Sequence, residues 1–304
     1  MNTNRSGRKL GRTARKLPLL VLGILFCGLA TEAQENSRPP AYLGFDANDY
    51  PGDVNLPRFR PTFAFVGYWL NNPPASAPPA PGNPSADLSR TEGDSWLGHR
   101  RALAQQGFGF LVLFNGRFER ELKSVGSART LGAHDAGLAA STAVREGFPP
   151  GTAIFVDQEE GGSMNDAQMA YLLAWFDGVA AAGFRAGIYC SAIPAREGGT
   201  GFAITADYVR DHAGARDIVY FVYDDVCPPA PGCTYSKTPP SPSASGVPFA
   251  SVWQFAQSPR RRQFTRRCAS TYSADGNCYA PGTGPGSAFI DLESARSPDP
   301  SRGR

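Results

Sequence analysis

Ala153-Ile154-Phe155-Val156-Asp157-Gln158-Glu159-Glu160-Gly161-Gly162 runs from apolar residues straight into acids and then breaks on two glycines. A continuous apolar run of this length suits a strand buried on both faces, as in a parallel sheet. Side chains alternate along a strand, so Asp157 and Glu159 are expected on one side and Gln158 on the other. Two carboxylates are thereby delivered to the C-terminal end of a buried strand. There they must be solvated, paired or used. Solvated acids feeding a turn are the plain reading of a lone pair, and the surrounding chain argues for use.

Three Gly-Phe pairs mark a repeated unit around that stretch: Gly107-Phe108, Gly147-Phe148 and Gly183-Phe184. Each follows an Ala-rich helical pattern and precedes an apolar run, as expected where a glycine stops a helix. After the acidic strand, Asn165 is placed to cap a helix with Gln168 three residues on. Met169, Leu172, Leu173, Phe176, Val179 and Ala180 form its apolar stripe. Strands are expected at 42–46, 63–69, 110–114, 153–157, 186–190, 218–223, 251–255 and 288–291. Eight strands with intervening helices indicate an α/β fold, a (β/α)8 TIM-barrel-like single domain with long loop inserts. Helices after the first and seventh strands look short or missing. An open doubly wound parallel sheet is the alternative.

The flanks carry other signals. Residues 1–33 read as a secretory signal peptide. Arg5, Arg8, Lys9, Arg12, Arg15 and Lys16 precede an apolar core at 17–30 and a small-residue exit at Thr31-Glu32-Ala33. The core is too short for a comfortable membrane span, an uncleaved anchor being the alternative, and no later segment is long enough. The expected location is secreted or cell-envelope, with no stable membrane span after cleavage. A linker is assigned to 34–41, the barrel to 42–296 and a disordered tail to 297–304. The chain's formal charge of +3 includes six basic residues and one acid in the leader, so the remainder carries −2. General nucleic-acid binding loses its support. The cluster Arg260, Arg261, Arg262, Arg266 and Arg267 reads as a solvated loop, with contact to an anionic envelope polymer as the alternative.

On a barrel, strand C-terminal ends converge on one site. Asp46 ends the first strand, Asp157 and Glu159 the fourth, and Asp291 the eighth; Tyr189 lies near the end of the fifth and Trp253-Gln254 on the seventh. First and eighth strands are neighbours in a closed barrel, so Asp46 and Asp291 are expected together, across the bore from the fourth strand. Carboxylates with aromatic platforms suit sugar chemistry, in which one acid protonates the leaving oxygen and another handles an oxocarbenium-like centre. His99, His134 and His212 stand at no ligand spacing, so no metal site is assigned. No phosphate-binding loop, dinucleotide fingerprint or nucleophile elbow is present, and no cofactor is expected.

Gly44-Phe45-Asp46, Phe155-Val156-Asp157-Gln158-Glu159, Gly187-Ile188-Tyr189, Trp253-Gln254 and Ile290-Asp291-Leu292-Glu293 resemble, in this order, the motifs of glycoside hydrolase family 25. Those enzymes are secreted lysozyme-like muramidases with a barrel of this kind. Gly67-Tyr68-Trp69 and residues 132–151 look even more like a related secreted bacterial glycoside-hydrolase-like domain of unknown function. The resemblance implies Glu159 as general acid. Asp157 would stabilise the intermediate or position an N-acetyl group, with Asp46 and Asp291 in support. Tyr189, Trp253, Gln254 and Tyr68 would contact substrate. The turn at 47–51 departs from the lysozyme pattern. Two functions follow: a hydrolase of peptidoglycan or a related N-acetylated glycan, or a catalytically silent barrel that binds cell-envelope glycan or another polysaccharide.

Removing the leader leaves five cysteines, so at least one stays unpaired within the chain. Cys227 and Cys233 flank one proline-rich loop and Cys268 and Cys278 another, giving two expected local bridges, with Cys190 a buried free thiol. The inserts at 71–83 and 227–248 follow strands and are expected to rim the cavity.

Overall fold

The structure, a computed structural model, describes residues 41–71, 95–285 and 287–304. The leader, nearly all of the linker and most of the 71–83 insert lie outside the described residues. Among the described residues eleven strands form: β1 Tyr42–Asp46, β2 Phe65–Trp69, β3 Gly109–Asn115, β4 Ala153–Asp157, β5 Arg185–Ser191, β6 Ala195–Glu197, β7 Gly201–Ala203, β8 Ile218–Tyr223, β9 Val252–Ala256, β10 Cys278–Tyr279 and β11 Phe289–Ala295. Helices α1 Leu56–Phe59, α2 Arg100–Gln105, α3 Val125–Glu146, α4 Asp166–Ala181, α5 Thr205–His212 and α6 Arg262–Thr265 lie between them. β1, β2, β3, β4, β5, β8, β9 and β11 pair in that order, and β11 returns to β1. The sheet closes into a TIM-barrel-like fold. β6 and β7 make a separate hairpin, and β10 pairs outside the ring with β11.

The local rules act where the sequence places them. Gly107, Gly147 and Gly183 have φ of 86°, 81° and 84°, a left-handed backbone that glycine adopts without a Cβ clash. Asn165 accepts hydrogen bonds from the Ala167 and Gln168 amides, while the Gln168 side chain accepts from the Asn165 amide. That reciprocal cap starts α4, whose Met169, Leu172, Phe176 and Val179 are buried. α4 packs beside α3 on the outside of the barrel.

The eighth strand departs from expectation. From β1 through β9 the neighbours run parallel, but β11 is antiparallel to both β9 and β1. Asp291 therefore stands near the start of its strand rather than at its end. The cause is the connection from β9. A parallel partner needs a crossover that carries the chain back along the barrel. Between Ala256 and Phe289 the described residues hold the four-residue α6, a six-residue 3-10 stretch, Arg266–Thr271, and the two-residue β10, none long enough for such a crossover. The chain consequently turns and re-enters from the end it left.

The cysteine pairing is also corrected. Cys227 bonds to Cys268 and Cys233 to Cys278, with Cys190 free and buried. Both bridges join the loop after β8 to the loop after β9, instead of closing each loop on itself. β8 and β9 are parallel neighbours, so their exit loops emerge side by side and their cysteines face across.

The tail is ordered. Ser301 is buried between the first halves of β3 and β4. Its hydroxyl accepts from the Val112 amide at 2.8 Å, its amide donates to the Phe110 carbonyl, and its carbonyl accepts from the Ala153 amide. Asp299 accepts from the Phe110 amide at 2.9 Å. β3 and β4 pair only from Val112 and Ile154 onward, so the tail satisfies the backbone groups they leave open. The expectation of a disordered 297–304 overlooked this gap. Ser301→Ala strands the buried Val112 amide and should lower stability by about 1–3 kcal/mol in denaturant unfolding; an unchanged midpoint would mean the tail does not bind.

Candidate active site

At the end of the barrel where β4 finishes, a cavity of about 330 Å³ opens, lined by Asp46, Asp157, Glu159, Tyr189, Gln254 and Asp291 among others. Six of the eight residues assigned to the site from sequence thus meet in one place. Asp46 and Asp291 arrive from the barrel's closing seam, where they are register partners. Asp157 ends β4 opposite Tyr189 of β5, and Glu159 follows two residues later. Gly67 makes room for this arrangement: a Cβ there would lie 2.3 Å from that of Asp46.

Tyr68 and Trp253 are corrections. Tyr68 is fully buried on the opposite face of β2, where its ring meets Trp96, Phe110 and Phe148 and its hydroxyl donates to Glu146. Trp253 is equally buried, packs against Phe255, and donates from Nε1 to the Asp224 carbonyl at 3.0 Å. Neither lines the cavity. Alternation decides both cases: Gln254 faces inward, so Trp253 faces out, and Trp69 lines the cavity in place of Tyr68. Nor does the 227–248 insert line it; its rim includes Ala47, Asn48, Gln257, Ser258, Pro259 and Phe289.

Gln254 organises the floor. Its Nε2 donates to Asp46 at 3.1 Å and to Asp291 at 3.2 Å. With Nε2 directed at both carboxyls, Oε1 faces the other way. There it accepts from the Tyr189 hydroxyl at 2.6 Å and from Gln257 Nε2 at 2.8 Å. Gln257 also donates to the Tyr189 oxygen at 2.7 Å. Asp291 takes a further bond from the Ser258 amide at 2.6 Å.

Burial dominates the electrostatics. Asp46, 5% exposed, has its pKa pushed up to about 6 by desolvation, with the neighbouring Glu293 and Gln254 side chains working against the rise and the charge of Glu159 adding to it. Asp157 is held well above the usual carboxylate range by burial, then by the charges of Glu159 and Asp46, and its Oδ1 has no hydrogen-bond partner. Asp291 is raised by burial and by Asp46, against the Ser258 amide. Glu159 is exposed at the mouth. Its pKa is raised by desolvation at the cavity, with Arg261 pulling it down and Glu160 pushing it up. Asp157, expected as the ionised partner of a protonated Glu159, is thus the more deeply desolvated of the two.

Arg261 was read as part of a solvated cluster. Its guanidinium instead stacks 4.6 Å from the Tyr223 ring centre and pairs at 2.9 Å with Asp225, which is fully buried. Arg262, Arg266 and Arg267 remain exposed. The neighbouring Glu160 is a brace: it accepts from the Gln168 side chain and the Glu119 amide. Among the described residues no group of three or more His, Cys, Asp or Glu is disposed to hold a metal ion, and no helix is long and apolar enough to cross a membrane.

Residues 94–225 match the family described as Rv2525c-like, glycoside hydrolase-like domain. The match covers less than half of the chain. It spans β3 through β8 and so contains Asp157, Glu159 and Tyr189, while Asp46, Gln254 and Asp291 lie outside the matched stretch. None of the curated proteins matches the chain. Among solved structures, an uncharacterized B. stearothermophilus protein aligns at 17% identity and TM-score 0.49, over 84% of this chain and 95% of its own. The Mycobacterium tuberculosis Tat-secreted protein Rv2525c aligns at 11% identity and TM-score 0.47, over 86% and 97%. The Clostridium perfringens spore cortex lytic enzyme SleM aligns at 13% identity and TM-score 0.46, over 86% and 70%.

The raised pKa of Asp46 has a measurable sign. An unfolded-state aspartate ionises near 3.8, while folded Asp46 keeps its proton to about 6. Its stabilising contribution is therefore complete below 3.8 and is lost as pH rises through about 6. Between pH 4 and 6.5, Asp46→Asn should gain on wild type by up to about 3 kcal/mol of unfolding free energy. A difference that stays flat over this window would remove Asp46 from the buried cluster.

Proposed function

We propose that the protein is a secreted glycoside hydrolase that cleaves peptidoglycan or a related N-acetylated glycan by carboxylate acid/base catalysis. One observation carries the reading: Asp157 and Glu159, delivered by a single strand end, line one cavity but occupy unlike surroundings. Glu159 reaches the mouth with a raised pKa, as suits an acid that must hold a proton near neutral pH and meet a glycosidic oxygen. The nearby Arg261 works against that rise.

Asp157 lies deeper, and its Oδ1 has no hydrogen-bond partner. A substrate acetamido N–H could supply the missing donor, and that bond would favour the ionised form. Asp157 would then steer the N-acetyl group or stabilise positive charge at the sugar carbon. Asp46 and Asp291, joined through Gln254, form the supporting wall.

Glu159→Gln keeps shape and hydrogen bonding but removes the transferable proton. Release of reducing ends from peptidoglycan should fall by roughly 10²-fold or more while the thermal midpoint barely moves. Cleavage that survives this change sinks Glu159 as the acid. Binding without cleavage by wild type, lost in Asp157→Asn, would mark a silent glycan-binding barrel instead.

A further inference from the structure

Glu293 is a carboxyl that the proposed chemistry leaves unused. It stands on β11 as the register partner of Gly44 on β1, so no side chain from that position crowds it. It is fully buried, and neither carboxyl oxygen has a hydrogen-bond partner. The titratable groups that face it are acids: Asp46 from β1, within hydrogen-bonding reach, and Asp291 from its own strand. From β9 the amide of Gln254 is close, but its two hydrogens already go to Asp46 and Asp291.

A buried carboxylate with no cation and no donor is strongly disfavoured. A proton removes both problems, because a neutral carboxyl carries an O–H and can donate. Asp46 is the acceptor in reach. The proton's place within the pair follows from the other contacts: Asp46 already receives Nε2 of Gln254, which favours the charge there, and Glu293 receives nothing.

We propose that Glu293 is a protonated positioning residue that donates to Asp46, holding Asp46 as the ionised acceptor that fixes the Gln254 amide and, through it, the Tyr189 hydroxyl at the cavity floor. The protonation and the relay rest on burial, strand register and the unpartnered carboxyl oxygens. Their effect on turnover rests on the hydrolase reading.

The test is a carbon-13 NMR titration of the Asp46 carboxyl in wild type, Glu293→Gln and Glu293→Met. A glutamine amide can still donate to Asp46, so its pKa should stay near the wild-type value. Methionine removes the donor, so the Asp46 pKa should rise. If Glu293 were ionised, either substitution would remove a neighbouring negative charge and the Asp46 pKa would fall; that result overturns the proposal. Should the methionine variant fail to fold, the glutamine variant still separates the cases, unchanged against lowered. In glycan cleavage, Glu293→Gln should retain clearly more activity than Glu293→Met, with the loss in the latter about tenfold and in kcat rather than KM. Equal losses in both variants contradict the positioning role. A wild type that cleaves nothing would defeat the hydrolase reading, while the titration would still decide the state of Glu293.

Discussion

Closing the barrel sets Asp46 directly against Asp291 across the β1–β11 pair. Like charges in register oppose strand pairing. One amide resolves the conflict: Gln254, reaching over from β9, gives one hydrogen to each acid. That bond arrangement fixes which way the amide points and therefore commits its oxygen to Tyr189 and Gln257. The seam, the cavity floor and the aromatic wall are thus one hydrogen-bonded unit. Replacing Gln254 with an apolar residue would leave several buried polar groups without partners at once.

Much of this was legible because it is local or periodic. The apolar run into Asp157 reads as a buried strand, the glycines stop helices, and Asn165 with Gln168 caps one. Counting strand ends was enough to bring Asp46, Asp157, Glu159, Tyr189, Gln254 and Asp291 together. Asp291 reached the right place by the wrong path. The sequence pattern ends a parallel strand at Asp291, yet Asp291 opens an antiparallel one, and both arrangements put it at the same end of the barrel.

The failures were of other kinds. Tyr68 and Trp253 were chosen for residue type, while the alternation that points them outward was available one residue away in Trp69 and Gln254. Loop partners could not be read at all. The disulfides follow from β8 and β9 being neighbours, and Arg261 turns inward because buried Asp225 needs a counter-charge. Glu293 was visible in the Ile-Asp-Leu-Glu motif, but its isolation from every donor is a property of the packed interior. The tail looked disordered because its few polar residues have no pattern of their own; their partners are unpaired groups of distant strands.

Unequal carboxyls around one cavity are the central physical feature of the site. A site of that kind assigns different tasks to chemically similar groups through burial and neighbours alone. The most direct measurement is a crystal structure of the Glu159→Gln variant soaked with an N-acetylated oligosaccharide from peptidoglycan. The expected result is a glycosidic oxygen within hydrogen-bond distance of residue 159 and an acetamido N–H on Asp157. A glycan seated on the outer surface, with Asp157 and residue 159 untouched, would contradict it.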